Sequence, residues 1–207
     1  MTTWMTRERI DLGPVCLDGD LTLPEHATGL VLFAHGGGSS RRSPRNQAVA
    51  AELHRRGLAT LLIDLLTPEI GPIADRLAAV VDWLRLQPPT AALPIGLFGA
   101  STGGGAALVA AAARPEAVHA VVSRGGRPDL AGPALLEVRA PTLLIVGERD
   151  TDVLELNEQA RNTMRIRAEL RIIPGATHLF PEPGALDAVA GEAAHWFTAH
   201  LTAAMTR

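Results

Sequence analysis

Short apolar runs recur along the chain, separated by longer stretches in which apolar positions return every three or four residues. The runs are "GLVLFAH" (29 to 35), "LATLLID" (58 to 64), "LPIGLFGA" (93 to 100), "AVHAVVS" (117 to 123), "APTLLIVG" (140 to 147) and "AELRIIP" (168 to 174). They read as strands apolar on both faces, as expected of strands buried on both sides. Between them, the first helix is predicted to open at Ser43-Pro44, a capping hydroxyl followed by proline at the first helical position, and to close at Gly57. Ile73, Leu77, Val80, Val81 and Leu84 fall on one helical face, as do Leu186, Val189, Ala193, Trp196, Phe197 and Leu201 near the end of the chain. Upstream, after an N-terminal tail, "VCLDGDLTLP" alternates around Asp18-Gly19 and predicts an antiparallel edge hairpin. Strand and helix then alternate without internal repeats. The expectation is an α/β fold, with a mostly parallel sheet covered on both faces through right-handed crossovers.

In such sheets ligands bind beyond the carboxyl ends of the strands. The segments that follow the apolar runs are "HGGGSSRRSPR", "DLLTPE", "STGGG", "RGGRPD", "ERDTD" and "ATHLF", and the candidate chemistry is read from them.

Composition narrows that chemistry. A chain of 207 residues fits one domain, spanning residues 1–207, that buries roughly 70% of its unfolded surface. It is 47% hydrophobic and 20% charged, as in ordinary globular proteins. No apolar run approaches the ~20 residues that span a bilayer, and "MTTWMTRERI" has no apolar secretion core, so a cytoplasmic protein without a membrane partner is expected. The single cysteine, Cys16, excludes an intrachain disulfide and any cysteine-rich metal cluster, and no metal is expected. A net charge of −3 with no basic stretch longer than "RRSPR" lacks the footprint of a nucleic-acid binder. All 19 basic residues are arginine, and lysine and tyrosine are absent.

Those absences settle the reading of the glycine cluster in "GLFGASTGGGAALVAAA" (96 to 112). Gly99, Gly103 and Gly105 fit a dinucleotide-binding spacing, but that fingerprint follows the first strand of its fold, and its usual tyrosine and lysine partners cannot exist here. A phosphate-binding loop ending in Gly-Lys-Ser/Thr is excluded likewise. No cofactor is expected. The remaining reading is a nucleophile elbow, Gly99-Ala100-Ser101-Thr102-Gly103, matching G-x-S-x-G after a strand. The tight turn forces the serine toward positive φ, requires slim neighbours two residues away, and aims the following helix N-terminus at the reacting carbonyl.

A serine hydroxyl needs a histidine base and a carboxylate to orient that base. "LLIVGERD" ends a strand with Asp150, and "LRIIPGATH" ends the next with His178, giving the order Ser, acid, His. Asp152 and Glu148 are alternatives for the acid, Asp152 also being a candidate helix cap. His54, His119, His195 and His200 read as structural or exposed. The oxyanion hole needs a backbone donor after the nucleophile, Thr102, and one from the loop after an early strand, where "FAHGGGSS" offers Gly37 and then Gly36. His35 is expected to hold that loop by hydrogen bonds.

In "AHGGG", "GASTGG", "GERD" and "GATH", taken in order over roughly residues 20 to 200, the chain resembles the α/β-hydrolase superfamily and its small dienelactone hydrolase-like branch. The resemblance implies a three-layer fold, an eight-stranded sheet with an antiparallel first hairpin, and a hydrolase acting on esters, thioesters or lactones through an acyl-enzyme. Dienelactone hydrolase itself uses cysteine as nucleophile, and this elbow holds Ser101. The connection "RGGRPDLAGPALLEVR" is too short for a cap domain, so an open site is expected. An acyltransferase or cyclase using the same acyl-enzyme is the nearest alternative, and a non-catalytic ligand-binding member of the fold is another. Arg41, Arg42 and Arg45 follow the oxyanion loop; Arg41 and Arg42 are candidates for binding an anionic tail of a small acyl substrate, and Arg124 and Arg127 raise the same question.

Overall fold

The computed structural model describes residues 3–204. In chain order its elements are β1 (Thr3–Asp11), β2 (Cys16–Pro24), β3 (Leu30–Ala34), α1 (Pro44–Arg55), β4 (Ala59–Ile63), α2 (Ile70–Leu84), β5 (Ile95–Ala100), α3 (Thr102–Ala113), β6 (Val118–Arg124), a pair of 3₁₀ turns (Pro128–Leu136), β7 (Thr142–Gly147), α4 (Thr151–Thr163), β8 (Glu169–Ile173) and α5 (Ala185–Ala204). The strands form one sheet in the order β1-β2-β4-β3-β5-β6-β7-β8. β2 pairs antiparallel with both β1 and β4, and every other pairing is parallel. This is the α/β-hydrolase architecture. Among the described residues, no helix is long and apolar enough to cross a membrane.

The periodicities translate directly into layers. Leu30, Leu32 and Ala34 of β3 join α2 and α3 in one core, while Val31 and Phe33 join α1 and α5 in the other. Both faces of the strand are therefore buried, and each large side chain so placed contributes roughly 1.5–3 kcal/mol. Ser43 caps α1 by accepting a hydrogen bond from the Asn46 amide at 3.4 Å, with Pro44 at the first position.

Two expectations change. The hairpin turns at Gly13 (φ +87°) and Pro14, where the Leu12 amide bonds the Val15 carbonyl at 2.9 Å, and Asp18-Gly19 lies inside β2. The supposed tail is β1, whose polar Arg7 and Glu8 are tolerated because an edge strand faces solvent. At the opposite edge β8 is only lightly covered, with the consecutive Arg171 and Ile172 exposed on opposite faces and Ile173 buried. The connection after β6 is two 3₁₀ turns broken at Gly132, and it forms no cap.

Candidate active site

The carboxyl ends of β3, β5, β6, β7 and β8 converge on one cleft. Ser101 occupies the junction between β5 and α3 with φ +53° and ψ −123°, a conformation that L residues adopt only when their surroundings impose it. Close packing imposes it here. A Cβ on Gly99 would stand 2.3 Å from the Gly103 carbonyl oxygen, and one on Gly103 would stand 2.3 Å from that of Ala34. The two glycines thus let α3 begin directly against the ends of β5 and β3. The Gly104 amide closes the first turn of α3 onto the Ser101 carbonyl at 2.9 Å, the Thr102 and Gly103 amides precede that ladder, and the positive end of the helix lies beside the serine.

Asp150 caps the start of α4 in position but makes no capping hydrogen bond with its side chain. Its Oδ2 instead meets His178 Nδ1 at 2.6 Å, with the Asp150 side chain largely buried. An imidazole whose Nδ1–H donates to a carboxylate presents Nε2 as the acceptor. Ser101 and His178 line the same cleft of about 220 Å³, together with Gly36, Gly37, Ser43, Arg45, Asn46 and Arg124 among others. The alternative acids are placed elsewhere: Glu148 Oε2 accepts from the Gly175 amide at 2.7 Å, and Asp152 is exposed on the first turn of α4.

The loop after β3 is fixed by His35, as its position suggests. Nε2 accepts from the Leu65 amide at 3.0 Å, so Nδ1 carries the proton and donates to the Gly36 carbonyl at 2.9 Å. The Gly37 amide donates to Thr102 Oγ1 at 3.0 Å, which brings the two expected oxyanion positions face to face. Gly36 lies closer to the nucleophile, since a Cβ there would sit 3.1 Å from Ser101 Cβ.

The arginines are sorted differently from the sequence expectation. Arg41 is buried against Asp64 and Asp20, its Nη1 on Asp64 Oδ2 and its Nε 3.3 Å from Asp20 Oδ2, and it does not line the cleft. Those partners are distant in sequence and meet Arg41 only because β2 and β4 pair. Arg42 is exposed and also lies outside the cleft, and Arg127 pairs with Asp129 at 2.7 Å. Arg45 and Arg124 line the cleft. Two further residues escaped the sequence reading because nothing local marks them. Asn157 of α4 donates to the Gly126 carbonyl at 3.0 Å, tying down the loop that follows Arg124. Glu182 Oε1 accepts from Thr177 Oγ1 at 2.7 Å and from its amide at 3.1 Å, shaping the loop of His178. The Thr177 hydroxyl also holds the Glu182 carboxyl below its ordinary pKa. No cluster of three or more His, Cys, Asp or Glu side chains among the described residues is arranged to hold a metal ion.

A family model described as "Dienelactone hydrolase family" matches residues 45–203. The chain belongs to the dienelactone hydrolase family. A solved dienelactone hydrolase from Anabaena variabilis is 54% identical, with a TM-score of 0.94 over 96% of this chain and 99% of that one. A Xanthomonas campestris α/β serine hydrolase without lid is 23% identical with a TM-score of 0.79, covering 95% of each chain, and shares the fold. Proteins from two Mycobacterium tuberculosis strains that carry the name "Putative phosphoribosyl transferase" are 57% identical over 199 residues. The chain spans 45% of the length of those relatives. Family and fold are those of hydrolases, and within the family this chain places serine at the elbow.

Proposed function

We propose that this chain is a cytoplasmic serine hydrolase that cleaves a small carboxylic ester, thioester or lactone through an acyl-enzyme on Ser101. The observation that carries this reading is the 2.6 Å contact between His178 and Asp150 at the cleft that also holds Ser101 at positive φ. Ser101 Oγ attacks the carbonyl carbon while His178 Nε2 takes its proton, and Asp150 stabilises the imidazolium that forms. The tetrahedral oxyanion accepts from the Thr102 amide and from the Gly37 amide, replacing the Thr102 hydroxyl on the latter. The bond from the carbonyl carbon to the leaving oxygen, or sulfur in a thioester, breaks as His178 returns the proton to the leaving group. Water then repeats the sequence and releases the acid.

Phosphoribosyl transfer, the reaction in the name of the Mycobacterium tuberculosis relatives, is not the reading proposed here. The chain spans less than half of those proteins, and the contact between His178 and Asp150 beside Ser101 supports acyl transfer instead.

Labelling with a fluorophosphonate, peptide mass spectrometry and turnover of short p-nitrophenyl esters test the reading together. Modification of Ser101 with ester turnover is expected; an unlabelled Ser101 in folded protein overturns it. Asp150→Asn is expected to lower kcat by about 10⁴-fold, because the amide stabilises the wrong imidazole tautomer. Asp152→Asn, on the exposed turn one residue beyond the helix start, is expected to stay near the wild-type rate. Steady-state kinetics on both variants separates the two acids.

A further inference from the structure

Arg124 ends β6 with only 6% of its surface exposed, and its Nε and Nη1 make no hydrogen bond. Arg45, on the first turn of α1, also has a buried Nε without a partner. Among the described residues, none that lines the cleft is acidic, and no ion pair joins either guanidinium to a carboxylate. The Phe180 ring lies 5.9 Å from the Arg124 guanidinium carbon. Burial, reinforced by the positive charge of Arg45, pulls Arg124 down to about 10, which leaves it protonated at neutral pH.

A buried guanidinium with open donors is costly unless an anion completes it. Here three positive features line the cleft: Arg124, Arg45 and the N-terminal end of the twelve-residue helix α1. A carboxylate would neutralise one of the two guanidinium charges. A phosphate monoester, near −2 at pH 7, matches both and supplies enough acceptor oxygens for two forks.

We propose that Arg124 and Arg45 form a phosphate subsite, so that the substrate is a compact ester carrying a phosphate monoester at the end away from the scissile carbonyl. This rests on the serine-hydrolase reading above. Only the acyl C–O bond breaks; the phosphate ester passes through unchanged, held on the two guanidinium groups.

The test compares kcat/KM for phenyl acetate, 4-acetoxybenzoate and 4-acetoxyphenyl phosphate, alongside calorimetric titration of inorganic phosphate into the full chain. Wild type, Arg124→Met and Arg45→Met are measured. The phosphate-bearing ester is expected to be preferred, and either substitution to weaken phosphate binding and reduce that preference by about tenfold or more. Equal phosphate binding by wild type and both variants, or a stronger preference for the carboxylate ester, overturns the subsite. Turnover of all three esters without phosphate binding also overturns it and leaves the hydrolase reading standing. Arginine-dependent phosphate binding without turnover of any ester sustains the subsite and sinks the hydrolase reading instead.

Folding of the variants is checked by thermal melts. A cation whose folded pKa is lowered opposes folding at every pH below that value, and the penalty fades only as pH rises above about 10. Arg124→Met is therefore expected to raise Tm at pH 7.5 in phosphate-free buffer. Arg45→Met, at a half-buried position, is the second variant should the first perturb β6.

Discussion

Ser101→Ala is expected to lower kcat by about 10⁴-fold or more while leaving the fold intact. The hydroxyl takes no part in holding the elbow. The turn is imposed by Gly99 and Gly103 packing against α3 and β3, and the Ser101 carbonyl, which accepts from the Gly104 and Arg127 amides, survives the change. Rates on p-nitrophenyl esters with matched thermal melts check both halves of the expectation. Ser101→Gly sharpens it. Glycine adopts φ +53° without the strain that serine bears, so this variant is expected to be equally inactive yet more stable by about 1 kcal/mol. An active Ser101→Ala protein would remove the nucleophile from the mechanism, whatever the stability result.

Gly103→Ala is the second large effect, and it works through backbone rather than chemistry. The added Cβ would stand 2.3 Å from the Ala34 oxygen and 2.7 Å from the His35 oxygen, and neither atom can rotate away as a side chain could. Relief requires α3 to retreat from the end of β3. A loss of about 3 kcal/mol follows, a large share of the ~5–15 kcal/mol that holds a domain together, and it lowers Tm by roughly 10 °C. The same retreat separates Thr102 from Gly37, so any protein that still folds is expected to lose oxyanion stabilisation and show depressed kcat. Denaturant unfolding together with kinetics distinguishes this from a purely structural loss.

These two glycines illustrate how much a linear pattern can carry. The G-x-S-x-G spacing, a run of small residues after it, and later strands ending in Asp150 and His178 are enough to assign three residues to one end of a sheet. That inference is local plus ordinal: each residue follows an apolar run, and a parallel sheet puts every such position on one side. The structure then joined Asp150 to His178 at 2.6 Å.

The antiparallel edge hairpin is present as expected, but its turn lies at Gly13-Pro14, for a related reason. Asp18-Gly19 satisfies a turn preference, but pairing with β1 on one side and β4 on the other holds β2 straight through it, and tertiary pairing outweighs local propensity.

By itself, then, the sequence determined the alternation of strand and helix and the placement of Ser101, Asp150 and His178 at strand ends, because periodicity and strand-end placement are properties of consecutive residues. Only the tertiary structure decided which arginines line the cleft. Arg41 precedes Arg45 by four residues and looks equivalent on paper. Asp64 and Asp20 draw Arg41 into a buried ion pair, while Arg45 and Arg124, from α1 and β6, meet in the cleft without a carboxylate between them. Charge compensation depends on distances through space, and residues far apart in the chain set those distances.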